Sequence, residues 1–169
     1  LIEEGGFAGN EHINVGDINV HKFSNWDEMK DAYNGGITKF VQENKPKYSP
    51  DIKKWFSNGG LIEIQNIDGK QIWIYTSAVG HTVPYVDGYI EFPDKYLNPT
   101  IKFVDIGGFS GDRSKDINKM MAILEEDYGI TEIPDGYVVH HDTINGILQL
   151  VDENIHQEFT HIGGYSLYQ

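Results

Sequence analysis

Four of the seven histidines in this 169-residue chain fall within its last thirty residues: His140 and His141 as an adjacent pair, then His156 and His161. Imidazole titrates near neutrality, so a group of such rings serves either as nitrogen ligands to a divalent ion or as bases that take a proton. Around them stand Gly136-Tyr137-Val138-Val139, Asp142, Asn145-Gly146, Leu148-Gln149-Leu150-Val151 and Gly163-Gly164. His12, His21 and His81 are scattered among unrelated segments and read as hydrogen-bonded structural residues. A purely structural zinc module normally recruits Cys, and this chain has none.

The local elements that must position these rings follow from the same stretch. Asn145-Gly146 favours a type I′ turn, because both central positions of that turn need φ above zero, so residues 137–142 and 147–151 read as antiparallel strands. Alternation along a strand sends His140 and His141 to opposite faces, which lets one bind a metal while the other points toward a substrate. Asp152 suits a helix N-cap, and Glu153 favours the positive end of the helix dipole. The helix should run to about His161 and stop at Gly163-Gly164. His156 would lie about one turn in. The five residues from there to His161 rotate a side chain by roughly 140°, so if both bind one ion the helix must loosen before Gly163.

This β-β-α arrangement, with Gly-Tyr-Val-Val-His-His-Asp, Leu-Gln-Leu-Val, His156 and His161-Ile-Gly-Gly, resembles the HNH/endonuclease VII nuclease superfamily, in the branch found as C-terminal toxin domains of bacterial polymorphic toxins. Those domains show a Trp-His-His or Leu-His-His triplet where this chain has Val139-His140-His141. The likeness runs over roughly residues 105–165, since Gly111-Asp112-Arg113 and Asp116 are similar to the segment that leads into the nuclease core. Residues 1 to about 80 carry no such resemblance.

The resemblance implies a C-terminal ββα-metal (His-Me finger) nuclease core over residues 101–169 of an α+β fold; residues 1–100 read as an N-terminal α/β elaboration with a scaffold role, or the two as one continuous domain. It implies His140 and His156 as metal ligands and His141 as the general base. His161 would be a third ligand by analogy with colicin-type nucleases, whose last two histidines are four apart rather than five. The Asn of the HNH signature falls on Ile147, which leaves Asn145 as the neighbour that would steady the base, with Asp142 as another orienter or ligand. One divalent ion is expected: three imidazoles suit Zn²⁺ or Ni²⁺, and fewer imidazoles with carboxylate and water suit Mg²⁺ or Mn²⁺. The expected partners are nucleic acid, DNA ahead of RNA, and a cognate immunity protein. A start at Leu1 rather than Met fits a piece secreted as part of a larger toxin that acts in the cytoplasm of a target bacterium.

Charge opposes the nucleic-acid reading. The net charge is −13; all thirteen Lys and Arg and seventeen of the 26 Asp and Glu lie in the first 119 residues, leaving −4 there and −9 on the last 50. Phosphate affinity usually comes from Lys and Arg, so cations from upstream must supply it. Arg113 is the first choice, because a guanidinium fork matches phosphate oxygens. Lys102, Lys115 and Lys119 are further candidates, although Lys115 and Lys119 read more simply as a solvated helix face. The rival readings are an RNase with the same histidines, a non-enzymatic acidic binding or immunity-like module, and a structural zinc module.

Upstream, residues 24–43 read as helical with Ser24 as a cap and a break at Gly35-Gly36. A short helix after Pro50 anchors on Trp55-Phe56. Leu61–Ile67 and Gln71–Tyr75 alternate around Asp68-Gly69 as a hairpin. Tyr85–Phe92 and Ile101–Ile106 read as short strands. Asp112–Asp127 reads as a helix with Ile117, Met120, Met121 and Leu124 inward and Gly129 as its stop. Trp26, Trp55 and Trp73 are core residues in this reading. No stretch is apolar enough for a membrane span.

Overall fold

A computed structural model describes residues 2–7, 10–15 and 18–160, with side chains from Val20 onward. The chain forms two compact units, Leu1–Ile90 and Glu91–Gln169. Among the described residues no helix is long and apolar enough to cross a membrane.

The first unit runs β1 (Ile2–Phe7), β2 (Asn10–Val15), β3 (Ile18–Phe23), α1 (Trp26–Ala32), α2 (Ile37–Asn44), α3 (Ile52–Ser57), β4 (Leu61–Ile67), β5 (Lys70–Thr76), β6 (Thr82–Val86) and β7 (Tyr89–Ile90). The strands form one antiparallel sheet in chain order, with the three helices inserted between β3 and β4. Asp68 and Gly69 both adopt positive φ, as a type I′ turn requires, and Ile67 pairs with Lys70 across it. Alternation along β5 buries Trp73 and Tyr75. Phe40 stacks on both Tyr33 and Trp73, and Trp55 meets Tyr75 edge-on. Trp55 and Trp73 are core residues as expected, whereas Trp26 is only half-buried, with Lys53 Nζ over its ring.

Three sequence expectations need correction here. The cap of α1 is Asn25, whose side chain accepts from the Glu28 amide; Ser24 instead donates its backbone N–H and hydroxyl to the Glu28 carboxylate, a reciprocal pair of the capping-box kind. The span from Tyr85 to Phe92 is not one strand but a hairpin, because Asp87 and Gly88 both take positive φ and reverse the chain between β6 and β7. β1, β2 and β3 had no counterpart in the sequence reading. β1 and β2 carry Glu, Gly and Asn, residues depleted in strands, which leaves a weak local trace.

The second unit opens with a 3₁₀ turn at Asp94–Tyr96 and continues β8 (Phe103–Val104), α4 (Arg113–Tyr128), β9 (Tyr137–Asp142), β10 (Ile147–Asp152) and α5 (Glu153–Glu158). β10 lies between β8 and β9, antiparallel to both. α4 matches its expected span: Asp112 caps its start by accepting from the Lys115 amide, and Gly129, with φ of 68°, ends it in the left-handed conformation. Met120 and Leu124 are fully buried against Ile101, Val104, Val139, Leu148 and Leu150, with Ile117 and Met121 packed at the margin. β8 shrinks to two residues, since only Phe103 and Val104 pair with β10.

The strands 137–142 and 147–152 stand where expected, but the turn differs. The connection is the four residues Thr143 to Gly146, and of Asn145 and Gly146 only Gly146 has positive φ. The buried Asp142 carboxylate is the cause: it accepts from the amides of Ile144 and Asn145 and from the Asn145 side chain, while the Gly146 amide donates to the Asp142 carbonyl. Those bonds hold a wider loop than a type I′ turn. α5 begins at the expected cap, Asp152, which accepts from Asn154 and Ile155, but it ends at Glu158 rather than near His161. Phe159, fully buried with extended backbone, turns into the core and takes the chain out of the helix.

Candidate active site

The hairpin of β9 and β10 has two buried faces, and the His140-His141 pair is split between them. Leu148 lies across from His141 and Leu150 across from Val139, whereas Gln149 lies across from His140. One face is therefore Val139, His141, Leu148 and Leu150, turned toward α4. The other carries His140 and Gln149. Each imidazole is almost fully buried, at 3% and 2% exposed for His140 and His141.

On the α4 face, Asp116, Met120 and Leu124 follow one another at four-residue steps along the helix, so the carboxylate extends the apolar stripe and is fully buried with it. A buried carboxylate needs partners, and it has two. His141 Nε2 donates to Asp116 Oδ2 at 3.0 Å, and the Ser110 amide donates to Asp116 Oδ1 at 3.0 Å. Arg113, one turn earlier, donates Nη2 to the Val139 carbonyl at 3.1 Å and brings Nη1 within 3.5 Å of His141 Nδ1. The edge of Phe109 closes the other side of the ring, with centroids 4.8 Å apart.

The electrostatics of this group favour one protonation state. Burial alone would push the Asp116 carboxyl up, but the hydrogen bonds from Ser110 and His141 outweigh it and hold the group below its ordinary value. Burial pushes the His141 imidazole below its ordinary value; the Arg113 charge adds to that, and Asp116 opposes it without reversing it. The stable pairing is an ionised Asp116 with a neutral His141. The Nε2 proton then points at the carboxylate, and the lone pair lies on Nδ1, the nitrogen beside Arg113.

On the opposite face, His140 meets Phe92 edge-on at 4.9 Å and His156 of α5 at 5.9 Å between ring centroids, and Phe92 stacks on His156. The strand and the helix thus bring two of the expected ligands side by side. The third, His161, lies outside the described residues. Among the described residues no three His, Asp or Glu side chains gather as an ion site. Gln149, directly across from His140, is 7% exposed, and among the described residues its buried Oε1 has no hydrogen-bond partner. Two imidazoles beside a buried oxygen acceptor fit the donor chemistry of a divalent cation. Asn145 gives its side-chain amide to Asp142 at 2.8 Å.

Sequence reasoning places Asp116 only in the segment that leads into the core. The available signal was a charge at a core position of an amphipathic helix, one turn after Arg113.

A family model described as WHH, a nuclease of the HNH/ENDO VII superfamily with conserved WHH, matches residues 130–169, which hold β9, β10 and α5. No curated protein and no solved structure matches the chain.

Proposed function

We propose, from the match of residues 130–169 to a WHH nuclease model, that the second unit is a ββα-metal endonuclease core, a phosphodiester hydrolase that cleaves DNA without sequence preference. We read it as the C-terminal toxin domain of a bacterial polymorphic toxin, secreted within a larger chain, active in the cytoplasm of a target bacterium and held in check by a cognate immunity protein. The first unit is its elaboration. The observation that carries the reading is the buried Asp116–His141 hydrogen bond with Arg113 at the other ring nitrogen. A nuclease segment needs a base, and this one has a neutral imidazole with its tautomer already set.

In this reading His141 Nδ1 takes a proton from water as that water attacks phosphorus. The P–O bond to water forms, the bond to the 3′ oxygen breaks, the leaving oxygen takes a proton from solvent while His141 returns its own to solvent, and the products are a 5′-phosphate and a 3′-hydroxyl. Asp116 keeps the ring oriented and stabilises the imidazolium that results, a base contribution of about 10²- to 10⁴-fold. Arg113 moves from His141 to a non-bridging phosphate oxygen, which places positive charge on substrate and uncovers the lone pair. The 3.5 Å Nη1–Nδ1 contact is long for a hydrogen bond and so costs little to give up. His140 and His156, joined by His161, would hold the divalent ion. When bound, such an ion supplies Lewis-acid stabilisation of the charge on phosphate and leaving oxygen.

The acidic charge bears on partners. With −9 on the last 50 residues, phosphate must be met by Arg113 and the ion, and an immunity protein with a basic or apolar contact surface docks more easily than an acidic one.

The test is incubation of purified full chain with supercoiled plasmid and with tRNA, with and without EDTA, beside His141→Ala. Plasmid nicking that EDTA and His141→Ala both abolish is the expected result. Degradation of tRNA alone would transfer the assignment to RNA. Cleavage of neither would leave the acidic binding module as the better reading.

A further inference from the structure

We infer that Gln149 is a ligand-bearing residue of the His140–His156 site, its Oε1 supplying an oxygen donor to the bound cation. The inference rests on the metal-dependent reading above and adds a residue that reading does not assign. The placement comes first: Gln149 is the cross-strand partner of His140, so the two side chains leave the sheet on the same face and about 5 Å apart at Cβ. His156 reaches the same His140 ring from α5. The amide therefore lies across the strand pair from His140, one of two imidazoles in mutual ring contact.

Burial makes the placement informative. Gln149 is more than nine-tenths buried, and Oε1 accepts no hydrogen bond from the described residues. Its neighbours along β10, Leu148 and Leu150, are fully buried apolar residues, so a third apolar residue would have sealed the strand at no desolvation cost. An orphaned buried acceptor costs stability and is retained where something else satisfies it. Position 149 lies across from the His140 imidazole, and a divalent cation is a species that imidazole nitrogen and amide oxygen can ligate together. A neutral, hard oxygen next to two imidazoles also shifts preference from the softer sites of Zn²⁺ toward Mn²⁺ or Mg²⁺.

The experiment is calorimetric titration of the full chain with MnCl₂, for wild type, His140→Ala, Gln149→Leu and Gln149→Glu, with thermal melts of each in EDTA. Wild type should bind one ion and His140→Ala should lose it. Gln149→Leu should bind at least tenfold more weakly, yet melt at or above the wild-type temperature when metal-free, because the unsatisfied acceptor is gone. Gln149→Glu should bind as wild type or tighter. A purely structural glutamine would give the reverse: Gln149→Leu with wild-type affinity and a lowered melting temperature. That result overturns the role of Gln149 while His140→Ala still reports the site. Absence of Mn²⁺ binding by wild type overturns both the inference and the metal-dependent reading beneath it.

Discussion

Asp116 and His141, twenty-five residues apart, meet in a 3.0 Å hydrogen bond with both side chains fully buried. The bond ties α4 to β9 and sets which nitrogen of the imidazole carries the proton. A carboxylate at that position accepts; a carboxamide can donate. Asp116→Asn should therefore favour the opposite tautomer, with the proton on Nδ1 and no lone pair for water. We expect cleavage to fall by about 10²- to 10⁴-fold with circular dichroism unchanged. Wild-type rates in a folded Asp116→Asn protein would remove Asp116 from the mechanism.

Stability should depend on pH through the same pair. His141 in the folded chain has a pKa below its ordinary 6.5, so just below that pH the unfolded chain binds a proton that the folded chain refuses. Its contribution is complete above about pH 6.5 and declines as pH falls toward the folded value. Asp116 is held below its ordinary 3.8, so a second loss begins below that pH. Thermal melts of the EDTA-treated protein should show a falling Tm below about pH 6.5 that is shallower in His141→Gln. A wild-type Tm flat from pH 8 to pH 5 would contradict this coupling.

Arg113 contributes a fork as well as a charge: Nη2 holds the Val139 carbonyl and Nη1 faces His141. Arg113→Lys keeps the charge and loses the fork. If the guanidinium receives phosphate, KM should rise about tenfold, a cost of about 1.4 kcal/mol, with a smaller change in Tm. A lowered Tm with KM unchanged would instead make Arg113 a brace for β9.

Asp152 accepts from the amides of Asn154 and Ile155 at the start of α5, a helix of only six residues. Its replacement by Ala should cost about 0.5–2 kcal/mol. Because His156 sits in that short helix, Mn²⁺ affinity should fall as well. Denaturant unfolding and metal titration of the same variant check the two effects together.

In the first unit, Gly60 packs directly under the Trp55 indole, whose Nε1 donates to the Leu61 carbonyl at 3.0 Å. A Cβ on residue 60 would collide with that ring. Gly60→Ala should destabilise the unit by about 1–3 kcal/mol, read from tryptophan fluorescence during urea unfolding. Unchanged unfolding would mean that the ring relaxes freely.

What the sequence determined by itself was local. Strand alternation separated His140 from His141, Asp112 and Gly129 bounded α4, Asp152 began α5, and Asp68-Gly69 made a hairpin; each follows from backbone geometry within a few residues. The tertiary structure decided what depends on distant groups. The buried Asp142 carboxylate chose a wider loop over the turn that Asn145-Gly146 favours alone, and the burial of Phe159 ended α5 before the expected residue. Asp116 acquires its meaning only when α4 packs on β9, because a charge on an apolar stripe looks like a misplaced residue until its partner, twenty-five positions on, is in place. Likewise Gln149 reads as one polar residue in a strand until pairing with β9 puts it across from His140. Local propensity acts over one turn or one strand, whereas the protonation and coordination chemistry of a site is set by neighbours that only the packed fold brings together.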